Sequence, residues 1–319
     1  MNFSMDQSRM ASNMEPRVEL YILSRDRVSL CREAVTSALA QTYKNLTVVL
    51  SDNSSTEDVV DMMYKDFPQV KVLRRRPNLP AIDHFNAIIE NADEEFLVMF
   101  HDDDVFAPNY VSDMVQLAAQ NCDVVAVACN AHIMRGSFLT HGKVMGGFTG
   151  QIRLNSALEL IEPYFSIGPR NPAPFSGYMY QASYLKGMAM EYAKGGKHCD
   201  VSFLCELLKR GPILWTAACN FYYRIHESND SGYEHVANRL SLMRYVQSNI
   251  GLSRRADILM DYRFTYWRRW LEQLPLNKRV GKRYAVVEKF IRARTWRLAT
   301  TRIDFWIRCW YKLVRYVIR

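Results

Sequence analysis

Short apolar runs recur along the first part of the chain, separated by longer stretches whose apolar residues fall at helical spacing. "VELYIL" at 18–23, "LTVVL" at 46–50, "VKVLR" at 70–74, "EFLVMF" at 95–100 and "CDVVAVAC" at 122–129 read as strands. Between them the pattern predicts helices over 27–41, 56–66, 81–91 and 108–120, the first offering Val28, Ala34, Val35 and Leu39 to a core. Such alternation predicts an α/β fold built on a mostly parallel sheet covered on both faces, with ligands beyond the carboxyl ends of the strands. Residues 130–180 are glycine-rich and read as mixed strands and loops. A helix over 200–209, a strand over 214–224 and a helix over 234–249 follow. Residues 1–16 lack periodicity and read as a flexible leader.

Charge changes this picture only at the far end. The 319 residues carry a net +8, yet residues 263–319 hold 16 Lys or Arg against 3 Asp or Glu, leaving 25 against 30 in the first 262. The same tail holds Trp267, Trp270, Trp296, Trp306 and Trp310, five of the six tryptophans. On a helical wheel Asp304, Arg308, Lys312, Arg315 and Arg319 form a narrow charged stripe, with Ile303, Phe305, Ile307, Trp310, Leu313, Val314 and Val317 around the rest. Residues 251–319 therefore read as a basic amphipathic helical tail, suited to an anionic membrane surface, an oligomer interface or nucleic acid. No apolar run is long enough to span a bilayer and the start lacks a secretory pattern, so the expected compartment is the cytoplasm. Seven dispersed cysteines, an odd number, predict buried thiols rather than a disulfide framework.

Candidate chemistry gathers at the predicted strand ends. In "FLVMFHDDDVF" the carboxylates Asp102, Asp103 and Asp104 follow an apolar run and would repel one another without a cation. Hard oxygen donors suit magnesium or manganese shared with phosphate oxygens. In that reading Asp102 and Asp104 face one side and Asp103 another; the plain alternative is a solvated turn or helix cap. "LSDNSS" places Asp52 and Ser54 at a second strand end, as nucleotide contacts or as ordinary turn residues. "RRRPNLP" brings Arg74, Arg75 and Arg76 to a third, facing phosphate or lining a surface. The cluster of His198, Cys199 and Cys205 lacks a fourth ligand and the paired spacing of a zinc site.

In their order these segments resemble the family-2 glycosyltransferases of the GT-A fold, over residues 17–226. The resemblance rests on "SRDR", "SDNSS", "RRPNLPAIDHFNAIIENADEEFLVMFHDDD", "HCDVSFLCELLKRG" and "NFYYRIHESNDSG". It implies a Rossmann-like nucleotide-sugar domain with a mixed central sheet. Residues 17–130 would form its donor-binding half and residues 131–250 its acceptor-binding half. It implies Ser24, Arg25, Asp52, Ser54, Asn78, Asn86 and Asp103 around the donor, Asp102 and Asp104 as the DxD metal ligands for manganese or magnesium, and Asp200 as catalytic base. Arg224 would face phosphate and His226 would complete the metal shell or touch the diphosphate, although a locally satisfied imidazole is an equal reading. Tyr178 and Tyr180 either stack on a sugar or belong to the core. Leu79 stands where the family usually has glycine.

The implied reaction is inverting, non-processive transfer of a single sugar, as by a hexosyltransferase, with UDP-sugar as the expected donor. The acceptor would be a saccharide or lipid-linked glycan of bacterial surface-glycan assembly, such as lipopolysaccharide, O-antigen or capsule. "YWRRW" at 266–270 lacks the glutamine of the processive signature. The tail would hold the enzyme peripherally on the inner face of the plasma membrane, or pair two copies, and nucleic acid would not be a partner. A sugar-phosphate nucleotidyltransferase is the main alternative, but "ILSRDR" has no glycine-rich loop for a triphosphate. Nucleic-acid binding through the tail is the second.

Overall fold

A computed structural model describes residues 15–165, 171–226 and 236–250, together with Ile258, Leu259, Tyr262 and Trp310. Most of the leader, and the tail beyond 250 apart from those four positions, lie outside the described residues.

Alternation within the strands sets the two faces of the sheet. Strand β1 (Val18–Ser24) turns Leu20 and Ile22 to one face and Tyr21 and Leu23 to the other. Strand β4 (Phe96–His101) does the same with Val98 and Phe100 against Leu97 and Met99. All are buried, because helices cover both faces. Helix α1 (Val28–Leu39) packs Cys31, Ala34, Val35 and Ala38 at i, i+3, i+4 and i+7. Leu39, expected in that core, is 37% exposed, since it lies off this stripe. Strands β2 (Leu46–Asp52) and β3 (Lys71–Arg74), with helices α2 (Asp58–Asp66), α3 (Ala81–Glu90) and α4 (Tyr110–Ala119), complete the first half close to the predicted bounds.

Strand β5 (Val105–Phe106) is too short to show a period and escaped prediction. Strand β6 spans Ala126–Arg135 rather than 122–129; the preceding turn consumes Cys122 and Asp123. Strands β7 (Phe138–Lys143) and β8 (Gln151–Leu154) fit the expected mixture. Helix α5 (Ala157–Phe165) does not, its pattern having been masked by Pro163 and the glycines before it. Then come β9 (Tyr178–Gln181), α6 (Cys199–Leu207), the long β10 (Ile213–Ile225) and α7 (Val236–Asn249).

The sheet runs β3-β2-β1-β4-β9-β6-β10-β5, with β7 on β6 and β8 on β10. The first four strands are parallel, β9 is antiparallel to both neighbours, and β10 is parallel to β6. The sheet is therefore mixed, as predicted. Close approach at the β6–β9–β10 junction needs Gly177: a Cβ there would lie 2.7 Å from Phe221 Cε1 and 2.9 Å from the Cys129 carbonyl oxygen. Cys31, Cys129, Cys199 and Cys205 are buried as expected, whereas Cys122 is exposed. Among the described residues no helix is long and apolar enough to cross a membrane.

Candidate active site

Parallel pairing brings the ends of β1, β2 and β4 to one edge, and hydrogen bonds join the loops that leave them. Asp26 adopts a left-handed φ of 56°; its backbone N–H donates to Ser54 Oγ at 2.8 Å and its carboxylate accepts from Ser55 N at 2.6 Å. Asn53 and Leu79 exchange two bonds of 2.8 Å, and Asn78 Nδ2 donates to the Asn53 carbonyl at 2.8 Å. The asparagines thus fix the loop at Leu79 without glycine.

Asp52 is wholly buried, with its carboxylate paired to Arg74 and accepting from Ser54 N at 3.1 Å and from Ser54 Oγ at 2.5 Å. It therefore holds other groups in place instead of presenting free oxygens. The arginines read as facing phosphate or a surface are engaged too: Arg74 and Arg76 pair with Glu57, and Arg75 Nε donates to Ser51 Oγ at 3.0 Å. Asn86 bridges helix α3 to the Met190 backbone through both ends of its amide, at 3.0 and 2.7 Å.

The three aspartates form a tight turn between β4 and β5, and the turn divides them. Pairing of Leu23 with His101 carries Asp102 back beside the end of β1, where it accepts from Arg25 N at 3.1 Å and from Arg27 Nη1 at 3.1 Å. The Arg25 side chain itself is largely exposed. Asp103 accepts from Arg27 Nη1 at 3.0 Å and lies 3.0 Å from His226 Nε2. Asp104 accepts the Arg224 backbone N–H at 2.9 Å.

Ligand atoms of His101, Asp103 and Asp104 all fall within 4.8 Å of one another. The grouping is thus Asp103 with Asp104, not the expected Asp102 with Asp104, because a tight turn aims its first aspartate back along the sheet. Oδ2 of Asp104 is buried without a hydrogen bond of regular geometry, the Ser176 hydroxyl being the polar group beside the carboxylate. An orphaned carboxylate oxygen beside an imidazole and a second carboxylate fits a manganese- or magnesium-class ion.

Environment drives the protonation of these carboxylates apart. Burial pushes Asp104 up to about 7, with the Asp103 charge adding to the rise. Burial would also raise Asp103, but His101, His226 and Arg27 hold it below its ordinary value. Burial raises Asp102 despite Arg27. Asp200, in the first turn of α6, is raised by burial against the lowering field of His198 and His101. His101 thus lies in electrostatic reach of both the aspartate turn and Asp200, its ring held edge-on against Phe85 at 5.8 Å.

The expectation for Arg224 also changes, and the alternatives left open for Tyr178 and Tyr180 are resolved. Arg224 is almost fully buried, and its guanidinium donates to the Asp103 carbonyl at 2.8 Å and the Gly136 carbonyl at 2.7 Å while pairing with Glu33. These partners turn it inward as a clamp on the loop and not toward a phosphate. Tyr178 and Tyr180 are wholly buried and stacked at 5.7 Å, with Trp215 Nε1 donating to the Tyr178 hydroxyl at 2.8 Å, so they are core residues and not a sugar platform. Arg27 and His101 were missed. The signal for His101 was its place directly before the aspartates, and that for Arg27 was a cation following the partner strand.

A sheet of this order, acid-tipped at the edge where β1, β2 and β4 end, defines the GT-A class of Rossmann-like domains. The family model for Glycosyl transferase family 2 matches residues 22–175. Over that span the chain is similar to glycosyltransferase family 2.

The O-antigen biosynthesis protein RfbC of Myxococcus xanthus is 32% identical over 141 residues, covering 42% of this chain and 11% of that protein. The uncharacterized protein y4gI of Sinorhizobium fredii is 32% identical over 139 residues, covering 41% of this chain and 15% of that one. The chain thus spans less than a fifth of the length of these relatives. In fold it is similar to residues 1–349 of S. aureus TarS in complex with UDP-GlcNAc, with a TM-score of 0.60 and 14% identity over 87% of this chain and 81% of that one.

Proposed function

We propose that the chain transfers one sugar, with inversion, from a nucleoside-diphosphate sugar to a hydroxyl of a saccharide or lipid-linked acceptor in surface-glycan assembly. The observation that supports this most is the convergence of His101, Asp103 and Asp104, with an orphaned oxygen on Asp104, at the sheet edge that Asp200 also reaches electrostatically. UDP is the proposed nucleotide. TarS, of the same fold, was solved with UDP-GlcNAc, and RfbC bears an O-antigen name.

In this reading Asp103 and Asp104, with His101 and with His226 behind Asp103, hold a manganese or magnesium ion. Such an ion, when bound, offsets charge on the departing diphosphate. Asp200 takes the proton of the acceptor hydroxyl as that oxygen bonds to the anomeric carbon and the bond to the diphosphate breaks. Burial suits it to this work by raising its basicity. Asp102 fixes the Arg25 backbone and Arg27, and Asp52 fixes Ser54 and Arg74, so both act on the donor through the groups they hold. Ser24, beside Asp102, and Asn78 shape the same loops. The arginine- and tryptophan-rich tail, beyond the described residues, is the proposed anchor on the cytosolic membrane face.

A screen of nucleotide sugars with manganese and a lipid-linked acceptor tests the assignment. Release of nucleoside diphosphate with a new glycosidic bond, abolished in Asp200→Asn, is expected. Pyrophosphate release from a nucleoside triphosphate and a sugar phosphate, or full activity of Asp200→Asn, would overturn it.

A further inference from the structure

The hairpin of β6 and β7 presents an apolar tip that nothing in the core requires. Gly136, at a φ of 57°, makes the turn, and beyond it Phe138 and Leu139 stand 81% and 58% exposed. Adjacent residues on a strand point to opposite faces, so two neighbours both in solvent mean that neither face of the tip is covered. Arg135 pairs in register with Phe138, and the exposed His141 and Lys143 continue along β7. From Val124 to Leu158 the sequence contains no Asp or Glu. The carboxylate of Glu33, tied into the same network, is paired with Arg224.

The tip is also firmly mounted. Gly136 accepts from Arg224 Nη1 at 2.7 Å, and Thr140 Oγ1 donates to the Ile133 carbonyl at 2.7 Å. Through Arg224 Nε and the Asp103 carbonyl, the hairpin is two residues' contacts away from the candidate site.

We infer that this hairpin is a membrane-contact element: Phe138 and Leu139 enter the acyl boundary of an anionic bilayer while Arg135 and Lys143 meet headgroup phosphates. An apolar tip with Arg135 beside it, Lys143 further along the same strand and no carboxylate in the hairpin's own sequence matches that surface in both polarity and charge. The inference rests on the proposed lipid-linked acceptor, which a membrane contact beside the site would bring within reach. It is separate from the tail, and two weak anchors together give stable attachment where one does not.

The full chain is tested with phosphatidylcholine vesicles with and without phosphatidylglycerol. Phe138→Ser with Leu139→Ser is expected to weaken partition to anionic vesicles by about tenfold or more. Arg135→Glu with Lys143→Glu should do the same, with sugar transfer to a soluble acceptor retained in both. Phe138→Trp, with its emission compared with and without vesicles, should shift to the blue on anionic vesicles.

Unchanged partition of the double serine variant with an unshifted Phe138→Trp signal would overturn the hairpin while leaving the tail as anchor. Absence of binding by the parent chain would overturn the membrane reading altogether. A parent dimer by light scattering that the serine variant converts to monomer, without change in partition, would reassign the tip to a second copy of the chain.

Discussion

Replacing Asp104 by asparagine separates the cost of its charge from its place in the turn. The carboxyl titrates at about 7 in the folded protein against 3.8 as a free group, because burial opposes its ionisation. A folded value above the unfolded one means that the group's stabilising contribution is complete below about pH 3.8 and is lost as pH rises through about 7. At pH 8 the ionised carboxylate therefore costs the metal-free fold about 4 kcal/mol relative to its protonated form, of which about 1 kcal/mol is recovered on acidification to pH 6. Asparagine keeps the acceptor oxygen for the Arg224 N–H and puts an N–H group where Oδ2 now lacks a partner, beside the Ser176 hydroxyl.

Urea unfolding of metal-free protein should find Asp104→Asn more stable than the parent at pH 8, with the gap narrowing by about 1 kcal/mol by pH 6. Manganese binding by the parent should tighten about tenfold from pH 6 to pH 8, with close to one proton released per ion near pH 6, and should be lost in the variant. A variant less stable than the parent at pH 8, or parent affinity flat across that range without proton release, would refute the reasoning.

Arg27→Gln removes the cation shared by two buried carboxylates, so metal-free protein should lose about 2 kcal/mol in urea unfolding, and manganese should restore part of the loss by replacing the missing charge. Arg224→Lys forfeits the fork that joins the Asp103 and Gly136 carbonyls to Glu33 and should cost about 2–4 kcal/mol by the same measurement, with weaker manganese affinity by calorimetry. Gly177→Ala forces a methyl against the Phe221 ring and the Cys129 carbonyl, and should lower stability by about 1–3 kcal/mol without altering metal affinity.

The parallel half of the sheet was legible because each strand carries its own two-sided burial in its spelling, as "YILS" and "VMFH" do with alternate residues on opposite faces. Helix α5 was not, since its Pro163 and the preceding glycines imitate a loop. The aspartate run was visible as chemistry, but its division was not. Which carboxylate faces which neighbour follows from the pairing of Leu23 with His101, a relation between segments 78 residues apart. Arg27 stayed hidden for the same reason: its partners lie in the turn after a different strand, and spacing along one segment says nothing of them. Local pattern reports burial, whereas electrostatic partnership depends on which strands the topology makes adjacent. The tyrosines at 178 and 180 were ambiguous because a stacking platform and an aromatic core spell alike; the Trp215 hydrogen bond resolves them.

Charge balance sets what the proposed metal site would have to offset. Arg224 is offset by Glu33, which leaves Arg27 as the cation set directly between Asp102 and Asp103. With Asp102 and Asp103 ionised and Asp104 protonated, the three carboxyls and Arg27 sum to a single negative charge, Arg27 offsetting the first two from between them. With Asp104 ionised they sum to two negative charges in a buried turn, an arrangement that burial opposes up to about pH 7. One divalent ion cancels that sum, whereas a monovalent ion leaves a residue of charge in low dielectric. The same arithmetic explains why Arg27 cannot stand in for the ion: its single charge is already spent on Asp102 and Asp103, and the orphaned oxygen of Asp104 lies outside its reach of hydrogen bonds. In the proposed reading, such a turn keeps one proton on Asp104 at neutral pH when it holds no metal, and would give up that proton on binding a divalent ion.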